Sequence, residues 1–115
     1  MELNVTLSEA VKPVEVEKVA EFIAAMQKES GEIPWSVGGK TDPWDHIESA
    51  MGLSVAGYVP EARRAYRWLA TTQLPDGSWW SETQDGEIIN STKETNFAAY
   101  IAVGVFHDYL ITGDL

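Results

Sequence analysis

One turn occurs twice in this sequence, and a chain with such a repeat has few ways to fold. Phe22-Ile23-Ala24-Ala25-Met26-Gln27 runs through Ser30-Gly31 to Pro34-Trp35, and Tyr66-Arg67-Trp68-Leu69-Ala70-Thr71-Thr72-Gln73 runs through Asp76-Gly77 to Trp79-Trp80. Aromatic, aliphatic, Gln, Gly and Trp recur in the same order, with the glutamines about 46 residues apart. The second copy, Gln73 with Gly77 and Trp79, is the tighter one; the first, Gln27 with Gly31 and Trp35, carries two extra residues before its tryptophan. A period of this size in helical sequence denotes stacked helix pairs, each too small to bury its own apolar face.

Hydrophobic periodicity places the helices. Pro13 suits the first position of a helix whose stripe is Val16, Val19, Phe22, Ile23 and Met26, and which stops near Ser30-Gly31. After a glycine-rich loop, Asp42-Pro43-Trp44-Asp45 reads as an N-cap, a first-position proline and an acid three residues after the cap. The second helix is apolar on most faces through Ile47, Ala50, Met51, Leu53, Val55 and Ala56, with Gly52 and Gly57 expected to allow close backbone approach. Pro60 opens a third, amphipathic helix with Arg63, Arg64 and Arg67 outward and Ala62, Ala65, Tyr66 and Leu69 inward. Two Asp-Gly pairs then allow a small hairpin through Trp79, Trp80, Ile88 and Ile89. Ser91-Thr92-Lys93-Glu94 reads as a capping box for a fourth helix that reaches about Ile111, with Gly113 behind it. Residues 1 to 12 are a lead-in with a short helical turn at Ser8-Glu9-Ala10-Val11.

Amphipathic, buried, amphipathic, buried: the order predicts an all-α fold, a curved array of α-hairpins forming one partial toroid domain over residues 1–115, with repeats at about 13–57 and 60–112. Two outer helices cannot cover two inner ones on every side. Apolar surface is therefore expected at both ends, to be covered by downstream hairpins or by association into a homo-oligomer.

Composition narrows the partners. Eighteen acidic against eight basic residues give a formal charge of −10, which repels phosphate backbones and argues against nucleic acid. No cysteine is present, which fits a reducing compartment, and the acidic start lacks the basic region of a signal peptide, so a cytoplasmic protein is expected. The uncharged run from Phe97 to Phe106 is too short to cross a bilayer.

The Gln…Gly-x-Trp pattern resembles the repeat of terpenoid cyclases and protein prenyltransferase subunits, a family with an α/α-toroid fold in which glutamine and tryptophan tie the outer helices together. Thr95-Asn96-Phe97-Ala98-Ala99-Tyr100 and Asp108-Tyr109-Leu110-Ile111-Thr112-Gly113-Asp114 are similar to the opening part of bacterial prenyltransferase-like proteins. The resemblance implies a partial (α/α)6 toroid, an apolar ligand of isoprenoid type in a cavity lined by inner helices, and transferase or cyclase chemistry. The chain lacks the family's Asp-x-Asp-Asp acid and the Cys of its zinc set. The Thr-Gly-Asp piece also resembles six-hairpin glycosidases, which implies a carbohydrate ligand and paired carboxylates. A non-catalytic helical assembly module is the third reading.

Candidate chemistry gathers at the starts of the buried helices, where the partial positive charge of a helix end can tune an acid or a histidine. Asp45, His46, Glu48 and Glu94 are the catalytic candidates, while Trp44, Asn96, Trp35 and Trp80 are candidate ligand contacts, because an indole stacks on either a sugar or an isoprenoid. Aligning the second and fourth helices sets Glu48 opposite Asn96 and His46 opposite Glu94. Capping explains Asp45 and Glu94, and a solvated position explains His46, as the plainer roles; Glu48 and Asn96 are harder to explain in that way. Gln27, Gln73, Gly77 and Trp79 are assigned to the structural repeat. The spacing calls for no metal, since only Asp45 and Glu48 share a helical face, and it names no cofactor.

Overall fold

Helix α2, Pro43–Val55, is the element against which α1 (Val16–Met26), α3 (Val59–Thr72) and α4 (Thr95–Thr112) all pack. The computed structural model describes residues 13–115, so the turn expected at Ser8 to Val11 lies outside the described residues. Between α3 and α4 an antiparallel pair, β1 (Glu82–Gln84) and β2 (Glu87–Asn90), corrects the all-α expectation to a mostly helical domain with one hairpin. Asp85 (φ 50°) and Gly86 (φ 83°) make its two-residue turn, whose left-handed positions match the twist of the strands. The strands begin after Trp79 and Trp80 rather than through them. Thr41 pairs with Thr83 through reciprocal backbone bonds of 2.8 and 2.9 Å, so the hairpin is stitched to the loop ahead of α2.

The repeated turn is the same object twice. Gln27 and Gln73 end α1 and α3 with almost identical backbone angles (φ −61°, ψ 129° and φ −61°, ψ 132°). Each side-chain Nε2 donates to the carbonyl of the glycine four residues on, Gly31 or Gly77, at 3.0 Å. The loop bonds match as well: Lys28 N–H to Glu32 O and Leu74 N–H to Ser78 O, both 2.8 Å. Both glycines have positive φ, and a Cβ on Gly31 would stand 2.2 Å from the Arg64 carbonyl oxygen, so only glycine fits there. Counting from the glycines, Ile33 and not Trp35 is the counterpart of Trp79. Ile33 is buried, whereas Trp35 is 53% exposed, which accounts for the two extra residues.

The core has two parts. Ile33, Ala50, Leu53, Ala62 and Ala65 join α2 to α3 and the first loop, and Ile47, Leu69 and Ile101 join α2 to α3 and α4. Small residues let α3 lie close, and close approach to α4 occurs at Gly104, where a Cβ would meet Ile47 Cγ2 at 2.4 Å. Gly52 and Gly57, expected to play that part, have open space beside them, and Gly57 instead supplies the positive-φ turn after α2. The helix starts also differ from expectation at two places. Helix α1 begins at Val16, three residues beyond Pro13, and Glu94 precedes α4 without a side-chain cap. The capping box does not form, because α4 begins at Thr95 and both partners of the box, Ser91 and Glu94, lie ahead of the first turn; Thr92 between them is held by Ser81 and by Asn90 Oδ1.

The stripe on α1 is wider than α2 can cover: Ala20 is buried and Ile23 and Met26 pack inward, while Val16, Val19 and Phe22 stay exposed. On α4, Val105, Phe106, Leu110 and Ile111 are exposed too. No helix among the described residues is long and apolar enough to cross a membrane.

Substituting the two helical glycines should move stability in opposite directions. Gly104→Ala forces a methyl into Ile47 and should destabilise by about 1 to 3 kcal/mol. Gly52→Ala meets open space and should stabilise by about 0.5 to 1 kcal/mol. Urea midpoints read both; equal shifts in one direction would overturn the close α2–α4 contact.

Candidate functional site

The start of α2 is held by its sequence. Asp42 caps the helix, its Oδ1 accepting the Asp45 N–H at 2.9 Å, and its other oxygen accepts from Trp35 Nε1. Lys40 lies over the Trp35 ring, 4.0 Å from the centroid, and is ion-paired with Glu82. One turn further on, His46 is wholly buried. Its Nδ1 faces the Ile33 N–H at 3.1 Å and its Nε2 the Ala65 carbonyl at 3.0 Å. Because Ile33 can only donate, Nδ1 must accept, and the ring is the neutral tautomer with its proton on Nε2. Burial drives its pKa from 6.5 down to about 4, against the pull of the Glu32 and Asp42 charges. The solvated position considered for His46 is therefore corrected: the loop of residues 28–42 folds over this helix start and closes it from water.

Glu48 and Asp45 come together on the outer side of the same turn. They line a groove of about 330 Å³ with Ser49 from α2 and with Met26, Ile33, Pro34 and Trp35 from α1 and its loop. Glu48 Oε1 accepts from Trp44 Nε1 at 2.7 Å and from the Tyr100 hydroxyl at 3.2 Å. Trp44 stacks on Tyr100 (centroids 5.0 Å apart, planes at 21°) and meets Phe97 edge-on at 6.0 Å. The Asp45 pKa is raised, first by desolvation and then by the negative charges of Asp42 and Glu48, with Lys40 opposing. A groove with one acid of raised pKa, a second acid oriented by aromatic donors and an exposed indole can exchange a proton, accept hydroxyl hydrogen bonds and stack on a ring.

The other candidates fall elsewhere. Glu94 and Asn96 are exposed at the beginning of α4, and Trp80 lies with Trp79 in a separate cleft between the hairpin and the end of α3. Tyr100 was not among the candidates, although Phe97 and Tyr100 share a face of α4 at helical spacing, the signal that could have paired them with Trp44. Among the described residues no three histidine, aspartate or glutamate side chains converge as metal ligands.

Over 102 residues, 89% of its length, the chain is 49% identical to the MMP endo-(1,4)-3-O-methyl-alpha-D-mannosidase of Mycolicibacterium hassiacum. The likeness is to a mannosidase. The chain spans 28% of that relative's length. No family model matches the sequence. This similarity overturns the resemblance to terpenoid cyclases and prenyltransferases, and with it the isoprenoid ligand and the transferase chemistry. The reason is physical: the Gln-to-glycine bond and the turn glycine close a helix end, so the motif reports how a helical hairpin is built and carries no information about what it binds.

The His46 linkage gives a pH test. Its folded pKa lies below the unfolded one, so its neutral form stabilises the fold fully above pH 6.5, and stability falls as pH drops from 6.5 toward about 4, where the unfolded chain binds the extra proton. The loss should reach about 3 kcal/mol. Urea unfolding of the parent chain and of His46→Gln at a series of pH values should show a steeper acid loss in the parent; identical slopes would contradict a buried neutral ring.

Proposed function

We propose that this chain is the part of a glycan-hydrolysing enzyme that carries one of its acids, with a mannose-type polysaccharide as substrate. The observation that carries this reading is the 49% identity, along 89% of the chain, to an endo-acting mannosidase of 3-O-methylated chains. The groove supports it. Asp45, with its raised pKa, suits the proton donor to a leaving sugar oxygen, and Glu48, fixed by Trp44 and Tyr100, suits a hydroxyl of the ring held against Trp35. Glu94 and Asn96 fall on the rim in this reading, and His46 acts by holding the start of α2. Glycosidic cleavage uses two carboxyl groups about 5 to 9.5 Å apart on either side of the scissile bond. Asp45 and Glu48 stand on one helix, so the second acid comes from another hairpin.

That requirement agrees with a partial α/α toroid over residues 1–115, completed by further hairpins. The α3–α4 seam supports the same view: Tyr66 Oη, His107 Nδ1 and Asp108 Oδ1 are buried without hydrogen-bond partners, beside the exposed Val105, Phe106 and Leu110. An unpartnered buried polar atom costs about 1 to 3 kcal/mol, so this seam is the less well satisfied side of the helix pair.

Isothermal titration with an α-1,4-linked 3-O-methylmannose oligosaccharide tests the reading. Trp35→Ala and Glu48→Gln should each weaken binding about tenfold, equivalent to about 1.4 kcal/mol. Asp45→Asn should leave binding nearly unchanged and lower glycan cleavage by about 10² to 10⁴ in the assembled enzyme. Unchanged affinity in the first two variants together with full cleavage in the third would sink the assignment.

A further inference from the structure

A second cavity, of about 290 Å³, opens between the hairpin and the C-terminal end of α3 and has no part in the groove chemistry. Its lining includes Trp68, Trp79 and Trp80, with Ile88 and Thr83 from the hairpin and Glu32 from the first loop. Neighbours in sequence thus line different cavities: Glu32 faces this one and Ile33 the acid groove. Its size sits at the small end of ligand sites, room for about one ring.

The lining is fixed before any ligand arrives. Trp79 Nε1 donates to the Leu69 carbonyl at 2.9 Å, Trp68 packs on the His46 ring at 4.7 Å, and Lys93, paired with Asp76, stands over the Trp80 ring at 5.1 Å. Glu32 keeps only 8% of its side-chain surface exposed. One of its oxygens accepts from Thr41 Oγ1 at 2.6 Å and the other from Lys28 Nζ at 2.9 Å. A carboxylate has about four acceptor positions, so each oxygen retains one for a ligand hydroxyl.

We infer that this cleft is a second sugar subsite, taking one O-methylated hexose ring whose apolar side rests on the indoles and whose hydroxyl donates to Glu32. Ring stacking and methyl burial suit the tryptophans, and the carboxylate rewards a hydroxyl while rejecting anionic ligands. An endo-acting enzyme must hold rings beyond the pair it cleaves, and a prearranged aromatic cleft holds one with little ordering cost. The inference rests on the glycan reading of the ligand but not on the acid groove being the cleavage site.

The test is a titration of the chain with methyl 3-O-methyl-α-D-mannopyranoside, followed through the five indole N–H resonances by NMR. Trp68, Trp79 and Trp80 should shift together along one binding curve, and Trp35 along another. Trp80→Leu and the isosteric Glu32→Gln should each weaken the first curve at least tenfold and leave the second in place, with melting curves confirming that both variants are folded. Cleft indoles that stay still, or that shift equally in both variants, would overturn the subsite while leaving the groove reading intact. A response in the cleft with a silent Trp35 would support the subsite and remove the groove, and silence in both would end both proposals.

Discussion

The imidazole of His46 joins three segments that are otherwise far apart in sequence: its own helix α2, the Ile33 N–H of the first loop and the Ala65 carbonyl of α3. The Ile33 N–H would be buried and unpaired without it, at a cost of about 1 to 3 kcal/mol, while the Ala65 carbonyl, inside α3, gains a second partner beside its helical one. A neutral histidine is unusually suited to the position because its two nitrogens offer one acceptor and one donor on opposite sides of a flat ring. Trp68 closes over that ring at 4.7 Å. The bond to Ile33 fixes where the loop passes, and this sets both the floor of the acid groove, through Ile33 and Pro34, and the wall of the indole cleft, through Glu32. Placement of the two cavities is thus a consequence of one buried side chain.

Around this link the two hairpins use one turn for different ends. In the first copy Gln27 bonds its own turn and also reaches α3, donating to the Glu61 carbonyl at 2.9 Å and accepting from Arg64 at 2.9 Å. In the second copy Gln73 bonds the turn at Gly77 and remains exposed. Where the first glutamine finds the neighbouring outer helix, the second finds solvent.

Much of the backbone was legible because local chemistry and tertiary packing agree there. Asp42-Pro43 fixes the start of α2, Gly113 at φ 70° ends α4, and the inward face of α3 is the one that Ala62, Ala65 and Leu69 announce. Legibility failed where a distant residue competes for the same group. Thr92 is held by Ser81 and Asn90 and α4 starts only at Thr95, so Ser91 and Glu94 of the expected capping box stand ahead of the helix, and no local pattern reveals that. The same holds for the site. Asp45, Glu48 and Trp35 do share a groove, but Trp44 stacks on Tyr100 and Glu48 accepts from it, the latter pair 52 residues apart. His46 reads as a polar residue near a loop, and only the fold of that loop shows that it is buried. Glu32 gave one faint signal, an acid set between a turn glycine and the apolar Ile33-Pro34-Trp35.

The ligand class was the hardest inference, and the reason lies in what selects each residue. The glutamine and glycine of the turn answer to helix-end carbonyls and to a positive φ, requirements that are identical whatever fills the cavity. The residues proposed to answer to a ligand are Asp45, Glu48, Trp35 and the indoles near Glu32, and of these only Trp79 belongs to the spaced motif. Their environments differ in a way that a single substrate would exploit. The groove sets an acid whose pKa is raised by desolvation and by neighbouring acids beside an exposed indole, where the proposed reading needs a proton donor to a glycosidic oxygen. The cleft sets a carboxylate paired with Lys28 among three tryptophans, where a ring needs only to be held. Two cavities with those separate capacities, lined by consecutive residues of one loop, would under the proposed glycan reading let one surface act on one sugar of a chain while retaining another.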